Sequence, residues 1–380
     1  LQPNPEVVKR FFHQAKFAPP VGPDTFLFRK NKDPDSIRIV LMGGSTAAGF
    51  PYGRFGSPAG MLNQRIKAQF PDSHVEIISV AMASINSYAL LDFVDEVIEV
   101  EPDAVLIYAG HNEYLGVMGV GSVYASNGSH AANLLFLKLK DWRIFQLIQS
   151  IYYALFQTPV DVDHSDGSRT VMASVAKEKA IAFDSALFTE GSAQFEQNLM
   201  AIQSALSIAK VPLYLSTIAS NEMDLPPFSS SSNPNVEQLI DRAKPRSNRR
   251  IIQQGVTLLE RGDTSADLAY AVAQAMLDES DERAADFFTL AKDYDLLRFR
   301  APSSFNHIIE EIAEKSSVGS SPTFLVDSEA AIRNDSSGKI IGAKHMLEHL
   351  HPTPRGYFLI ADSFYRGLLA NGFFNKLAAA

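Results

Sequence analysis

The sequence predicts an α/β fold: a five-stranded parallel sheet sandwiched by helices and carrying large helical insertions. Three observations lead there. Five short apolar runs rich in β-branched residues end in turn-forming or polar residues, and helix-period stripes lie between them. The composition, 46% apolar and 20% charged over 380 residues, is that of a chain with a substantial buried core. Strand, helix, strand at these intervals makes βαβ units, whose strands run parallel.

Residues 1–36 carry six prolines and little periodicity, and read as an arm over the fold. IRIVLM (37–42) is the first strand, stopped by glycine. Ser57 and Pro58 then give a helix cap and a proline at the first helical position, with Met61, Leu62, Ile66 and Phe70 on one stripe. VEIISV (75–80) is the second strand, SYALLDFVDEVIEV (87–100) the second helix and DAVLIYAG (103–110) the third strand. A helix over 195–210, a strand over 211–221, a fifth strand over 322–327 and a last helix from near Tyr357 continue the series. The main domain is thus expected over 37–375.

Two stretches interrupt it. The first, 117–190, contains NLLFLKLKDWRIFQLIQSIYYALF, apolar enough for a helical lid or a face for a protein partner. The second, 234–316, holds a helical pair in which Ala284, Phe288 and Ala291 have the spacing of tetratricopeptide packing residues, over one helix only. A single unit cannot form a solenoid, so the pair is expected to dock on the sheet domain.

Charge and cysteine narrow the function classes. With 34 Lys and Arg against 43 Asp and Glu the formal net charge is −9, and no basic run offsets it, so nucleic-acid binding is not expected. The absence of cysteine removes disulfides, thiolate catalysis and Cys-ligated zinc. No apolar run approaches the roughly 18–20 residues of a membrane span. The chain starts at Leu1, which allows for a removed signal or membrane tether and a periplasmic or cell-envelope location, with the cytoplasm as the alternative. KLAAA (376–380) reads as a vector tail.

Ligands of an open parallel sheet bind beyond the carboxyl ends of its strands, so Ser45, Asn112 and Asn221 are expected along one rim. GGSTAAG has neither the spacing nor the lysine of a phosphate loop. A structural turn and a nucleophilic serine are left, since glycines before a serine permit the tight turn that lifts its hydroxyl. Such a serine needs a base, oriented by a third group. In EHLHPTPRGY, Glu348 and His351 stand three apart and can face the same way, or form only a solvated pair. His345 and His349 are rival bases, but Pro352 and Gly356 favour a fixed loop for His351. Met346 stands where a zincin needs glutamate, so no metal site is expected. Asn112 can offer an amide to an oxyanion, or close its strand by an Asx-turn, and the backbone N–H of Ser45 is a further donor. His111 reads as holding that loop.

Together these residues resemble the SGNH, or GDSL, hydrolase superfamily. GGST supplies the serine block with Ser45, GHNE the asparagine block with Asn112, and EHLH the histidine block with His351. The GGSTAAGFPYG form and the helical hairpin ending in LRFRAP are similar to bacterial SGNH proteins associated with tetratricopeptide repeats. Three positions depart from the pattern. Gly44 replaces the usual Asp, Ser84 stands for the second-block glycine that donates through its N–H, and Glu348 replaces the triad Asp, with Asp327 the runner-up acid. The resemblance implies a flavodoxin-like three-layer fold and ester hydrolysis through an acyl-serine without metal or organic cofactor. It also implies a small-molecule or glycan ester as substrate, or acyl transfer onto a cell-envelope glycan. A non-catalytic scaffold is the third expectation. Arg298 and Arg300 are candidates to bind an acidic sugar, or to pair with Asp293, Asp295 or Glu310.

Overall fold

Five strands form the centre of the molecule: β1 (Ile37–Gly43), β2 (Val75–Ser79), β3 (Ala104–Tyr108), β4 (Leu213–Ser216) and β5 (Thr323–Val326). All are parallel, in the order β2-β1-β3-β4-β5, which is the flavodoxin-like order. All seven residues of β1 are buried, because helices cover both faces of an interior strand. The computed structural model describes residues 1–12, 18, 20–122, 130–140, 142–145, 147, 180–241, 247–316 and 321–375. Most of the expected 117–190 insertion, its lid role included, and the 376–380 tail lie outside them.

The described helices run in chain order. The first six are α1 (Ser45–Ala48), α2 (Gly53–Gly56), α3 (Pro58–Gln69), α4 (Ser87–Glu99), α5 (His130–Leu139) and α6 (Ala186–Ile208). Then come α7 (Pro234–Ile240), α8 (Asn248–Glu260), α9 (Ala266–Asp278), α10 (Ala284–Tyr294), α11 (Ser303–Lys315), α12 (Ser328–Asp335) and α13 (Pro354–Ala370). Helices α3 and α13 pack as one layer, and α4, α6 and α11 as the other. Ser57 caps α3 by accepting from Gly60 N–H, and Thr353 caps α13 in the same way from Gly356, each followed by proline at the first turn.

The N-terminal segment is tied down rather than loose. Val7, Val8, Phe11 and Phe12 are buried in the main core, and Arg10 pairs with Asp92 and Glu96 on α4. The 234–316 stretch divides between two packings. Val236, Ile251, Leu268, Val272 and Phe288 build a second core of their own, whereas Phe305 and Ile309 on α11 belong to the main one. Helix α11 therefore serves as a crossover helix of the sheet, and the inserted unit ends before it.

The fourth strand is shorter than the expected 211–221. Past Thr217 the backbone donors turn to side chains: Ile218 N–H to Asn306 Oδ1 at 2.8 Å and Ala219 N–H to the Tyr108 hydroxyl at 3.0 Å. The apolar run continues while the strand pairing stops, a distinction that periodicity cannot make.

Candidate active site

The carboxyl end of β1 leads straight into Ser45. Gly43 has φ +156°, and a Cβ there would lie 2.2 Å from the Tyr108 carbonyl oxygen of β3, so no side chain fits. Gly44 caps α1, and a Cβ on it would come 3.0 Å from the Asn112 amide nitrogen. Where the resemblance expects an acid, this chain thus lets the Asn112 side chain lie close against the backbone before Ser45.

The second component comes from 301 residues or more downstream. Residues 346–352 form a loop closed by the Met346–Pro352 bridge and by Leu347 N–H to His351 O at 2.8 Å. Within it the Glu348 carboxylate accepts from the backbone N–H groups of His349 at 2.5 Å and of His351 at 3.0 Å. These bonds fold the carboxylate back over its own turn, where Oε1 meets His351 Nδ1. The opposite ring nitrogen, Nε2, lies 2.7 Å from Ser45 Oγ. Glu348, His351 and Ser45 therefore form one unbroken line of contacts.

Burial pushes His351 down to about 4, so the ring is neutral at neutral pH. With Nδ1–H facing Glu348, its Nε2 lone pair faces the serine hydroxyl, the arrangement a general base requires. His349 touches the other Glu348 oxygen and is pushed down to about 3, by burial first and then by His351 and Arg300. It packs edge-on against Phe228 and does not reach Ser45.

The third component is a set of unused donors. Ser84 has φ +65°, the left-handed backbone that favours glycine, at the position where the resemblance expects one. Among the described residues, neither the Ser84 N–H, the Ser45 N–H nor the Asn112 amide donates a hydrogen bond. Ser45, Asn112 and Ile85, the residue after Ser84, line a cleft with room for the centre of about one water, about 10 Å³.

Other expected residues lie elsewhere. His345 is fully buried, between Asp335 at 2.8 Å and Ser336 at 3.1 Å, and is no rival base. Asp327 caps α12 and accepts from the Thr217 hydroxyl at 2.9 Å, while Glu348 is the carboxylate on His351. His111, by contrast, lines the same cleft as Ser45 and Asn112, where its Nδ1 accepts from Ala301 N–H at 3.2 Å and burial pushes the ring to about 3, consistent with a role in holding its loop.

The expectation that Arg298 and Arg300 reach the cleft is not met. Both are buried, with several donors taken up by inward-facing carbonyls, while Arg298 Nη2 and Arg300 Nε have no hydrogen-bond partner among the described residues. Arg298 donates to the carbonyls of Ile181 at 2.9 Å and Asp293 at 2.5 Å. Arg300 pairs with Asp295 at 2.8 Å and donates to Asn221 O at 2.9 Å. Asn221 does not open onto the rim either. Its N–H donates to His349 O at 2.9 Å and its side chain accepts from Asp224 N–H, so Arg300 and Asn221 together prop the histidine loop.

One residue at the rim escaped the sequence reading. The Phe50 ring lies 4.7 Å from that of His351, and its carbonyl accepts from the Tyr357 hydroxyl at 2.6 Å. Its position one turn after the GGST block was the only available signal.

No family model matches the chain, and no curated protein matches it in sequence. Solved structures do resemble it. A GDSL-like lipase from Bacteroides thetaiotaomicron is 11% identical with a TM-score of 0.38, over 88% of this chain and 88% of that one. A tryptophan-to-isoleucine variant of an acetyl xylan esterase from Geobacillus stearothermophilus is 12% identical with a TM-score of 0.41, over 90% of this chain and 97% of that one.

Proposed function

We propose that this chain is a serine hydrolase that cleaves short-acyl carboxylic esters through an acyl-serine intermediate. The observation that carries the proposal is the contact line from Glu348 through His351 to Ser45, built from residues 306 positions apart. His351 Nε2 takes the hydroxyl proton as Ser45 Oγ attacks the acyl carbon. Charge then gathers on the carbonyl oxygen, where the Ser45 and Ser84 N–H groups and the Asn112 amide receive it. Collapse expels the alcohol, which leaves with the proton from His351. Water, deprotonated by the same nitrogen, attacks the acyl-serine and releases the acid. Base, nucleophile, donors and water balance the cycle.

The cramped cleft beside Ser45 supports a short acyl group over a long one. Phe50, Tyr52 and Phe55 follow Ser45 closely and are 57, 42 and 74% exposed, which supports a sugar ring as the alcohol part, stacked on an aromatic face. Acyl transfer to a glycan would use the same residues, but the arginines that motivated it are braced inside the fold. The finer likeness to tetratricopeptide-associated SGNH proteins is supported by Ala284, Phe288 and Ala291, all buried on α10, which packs against α9.

Hydrolysis of p-nitrophenyl acetate by the wild type and by Ser45→Ala tests the reading. Activity is expected in the first and lost in the second, and a fluorophosphonate should label Ser45. Equal hydrolysis by both proteins would sink the assignment.

A further inference from the structure

Glu113 follows Asn112 directly, yet the cycle above gives it no task. Its side chain is 1% exposed, in the seam where the Asn112 loop meets α4 and α6. Every described partner is neutral. Oε2 accepts from Ser87 N–H at 2.9 Å, and Oε1 accepts from the Ser87 hydroxyl at 2.7 Å and from the Gln194 amide. The Ser87 oxygen in turn takes the Asn198 amide at 2.8 Å.

A carboxylate buried without a cation is costly, and an apolar residue of similar volume would fill the same space at less cost. The location of the bonds shows what they achieve. Glu113 is one residue from Asn112, and Ser87 is three residues from Ser84. One carboxylate therefore joins the two loops that carry the second and third oxyanion donors. Among the described residues, the backbone crosses the same seam only through Val117 N–H to Ser84 O at 2.9 Å, beside the turn closed by Gly116 N–H to Asn112 O at 2.7 Å.

We infer that Glu113 is a positioning residue that clamps the Ser84 loop to the Asn112 loop and so sets the spacing of two oxyanion donors. Its kinetic consequence rests on the ester-hydrolase reading, whereas the clamp itself is a statement about structure. Burial pushes the Glu113 carboxyl up to about 7, against the lowering by Gln194 and Ser87. The titratable groups around it are Tyr88 on α4 and Tyr114 beside it, both held neutral by burial, with Glu190 on α6 and His130 on α5 beyond Tyr88. When ionised, Glu113 accepts from all three donors. When protonated, one oxygen must itself donate, and a bond to Ser87 or Gln194 is weakened.

Glu113→Gln keeps the volume and stays neutral at every pH. Combined with Asn112→Ala, it forms a double-mutant cycle. At pH 8, Glu113→Gln should lower kcat on the order of 10-fold with KM nearly unchanged, and should cost far less in the Asn112→Ala background. The wild-type kcat should show a rising step near pH 7 that Glu113→Gln lacks, with thermal melts verifying that the variants are folded. An equal cost in both backgrounds, or no cost in either, overturns the clamp. If the wild type proves inert toward esters, the hydrolase reading fails and the clamp is read separately, from the side-chain amide resonance of Asn112 in asparagine-labelled protein. That resonance should shift with a midpoint near pH 7 in the wild type and not in Glu113→Gln; a resonance indifferent to pH in both would refute it.

Discussion

The two halves of the candidate site are built differently. The 346–352 loop carries acid and base within four residues and organises itself: Glu348 bonds to backbone N–H groups of its own turn and thereby presents His351. The donor side has no such local logic. Ser84 and Asn112 come from loops after different strands and meet only because β1 lies between β2 and β3 and side chains tie the loops together. A site can thus combine a self-contained proton relay with a cradle whose geometry depends on the whole sheet.

The largest effect expected from breaking this comparison falls on the relay. His351→Ala should lower kcat by at least about 10⁴-fold, and Glu348→Ala by less, since the acid orients a base that is already in place. If steady-state kinetics gave Glu348→Ala the larger loss, the carboxylate would be more than an orienter. Next comes the cradle. Asn112→Ala should cost on the order of 100- to 1000-fold in kcat, because one donor to the developing charge is removed. A loss confined to KM would show that Asn112 binds the ground state instead.

Acid should act on the relay too. His351 is lowered to about 4 by burial, so its base form persists at neutral pH, and in Glu113→Gln, which lacks the step near pH 7, kcat/KM should fall only as pH drops through about 4. An acid limb near 6.5 in that variant would mean that Glu348 holds the proton on His351 more strongly than burial removes it. The smallest change is predicted for Ser84→Gly. It relieves a left-handed serine while adding backbone freedom to the unfolded chain, so activity should stay within about threefold and stability within about 1 kcal/mol. Loss of activity in that variant would give the Ser84 side chain a role that its N–H does not have.

The relay was legible in the sequence because its members are close together or marked by glycine. EHLH places acid and base three apart, and GGST marks a turn whose first glycine has the Tyr108 carbonyl against it. Arg298 and Arg300 stood open between ligand and ion-pair readings for a related reason, and Arg300 pairs with Asp295. A guanidinium near a predicted cleft reads as a ligand, and only packing revealed that both are turned inward, onto carbonyls of Ile181 and Asp293 for Arg298 and of Asn221 for Arg300. Glu113 was invisible in the same way, since GHNE drew attention to the asparagine while the partners of the glutamate lie on α4 and α6.

The sequence by itself determined where the strands lie, the parallel α/β class and the candidate nucleophile and base, with two candidate acids, because hydrophobic period and turn chemistry are local properties. Tertiary structure alone decided that Asn112 lies against Gly44, that β4 ends where side chains take over its donors, and that Glu348 rather than Asp327 touches His351. Those outcomes depend on which distant groups reach a given hydrogen-bonding atom first, and burial, which makes each unmet donor or acceptor costly, enforces them.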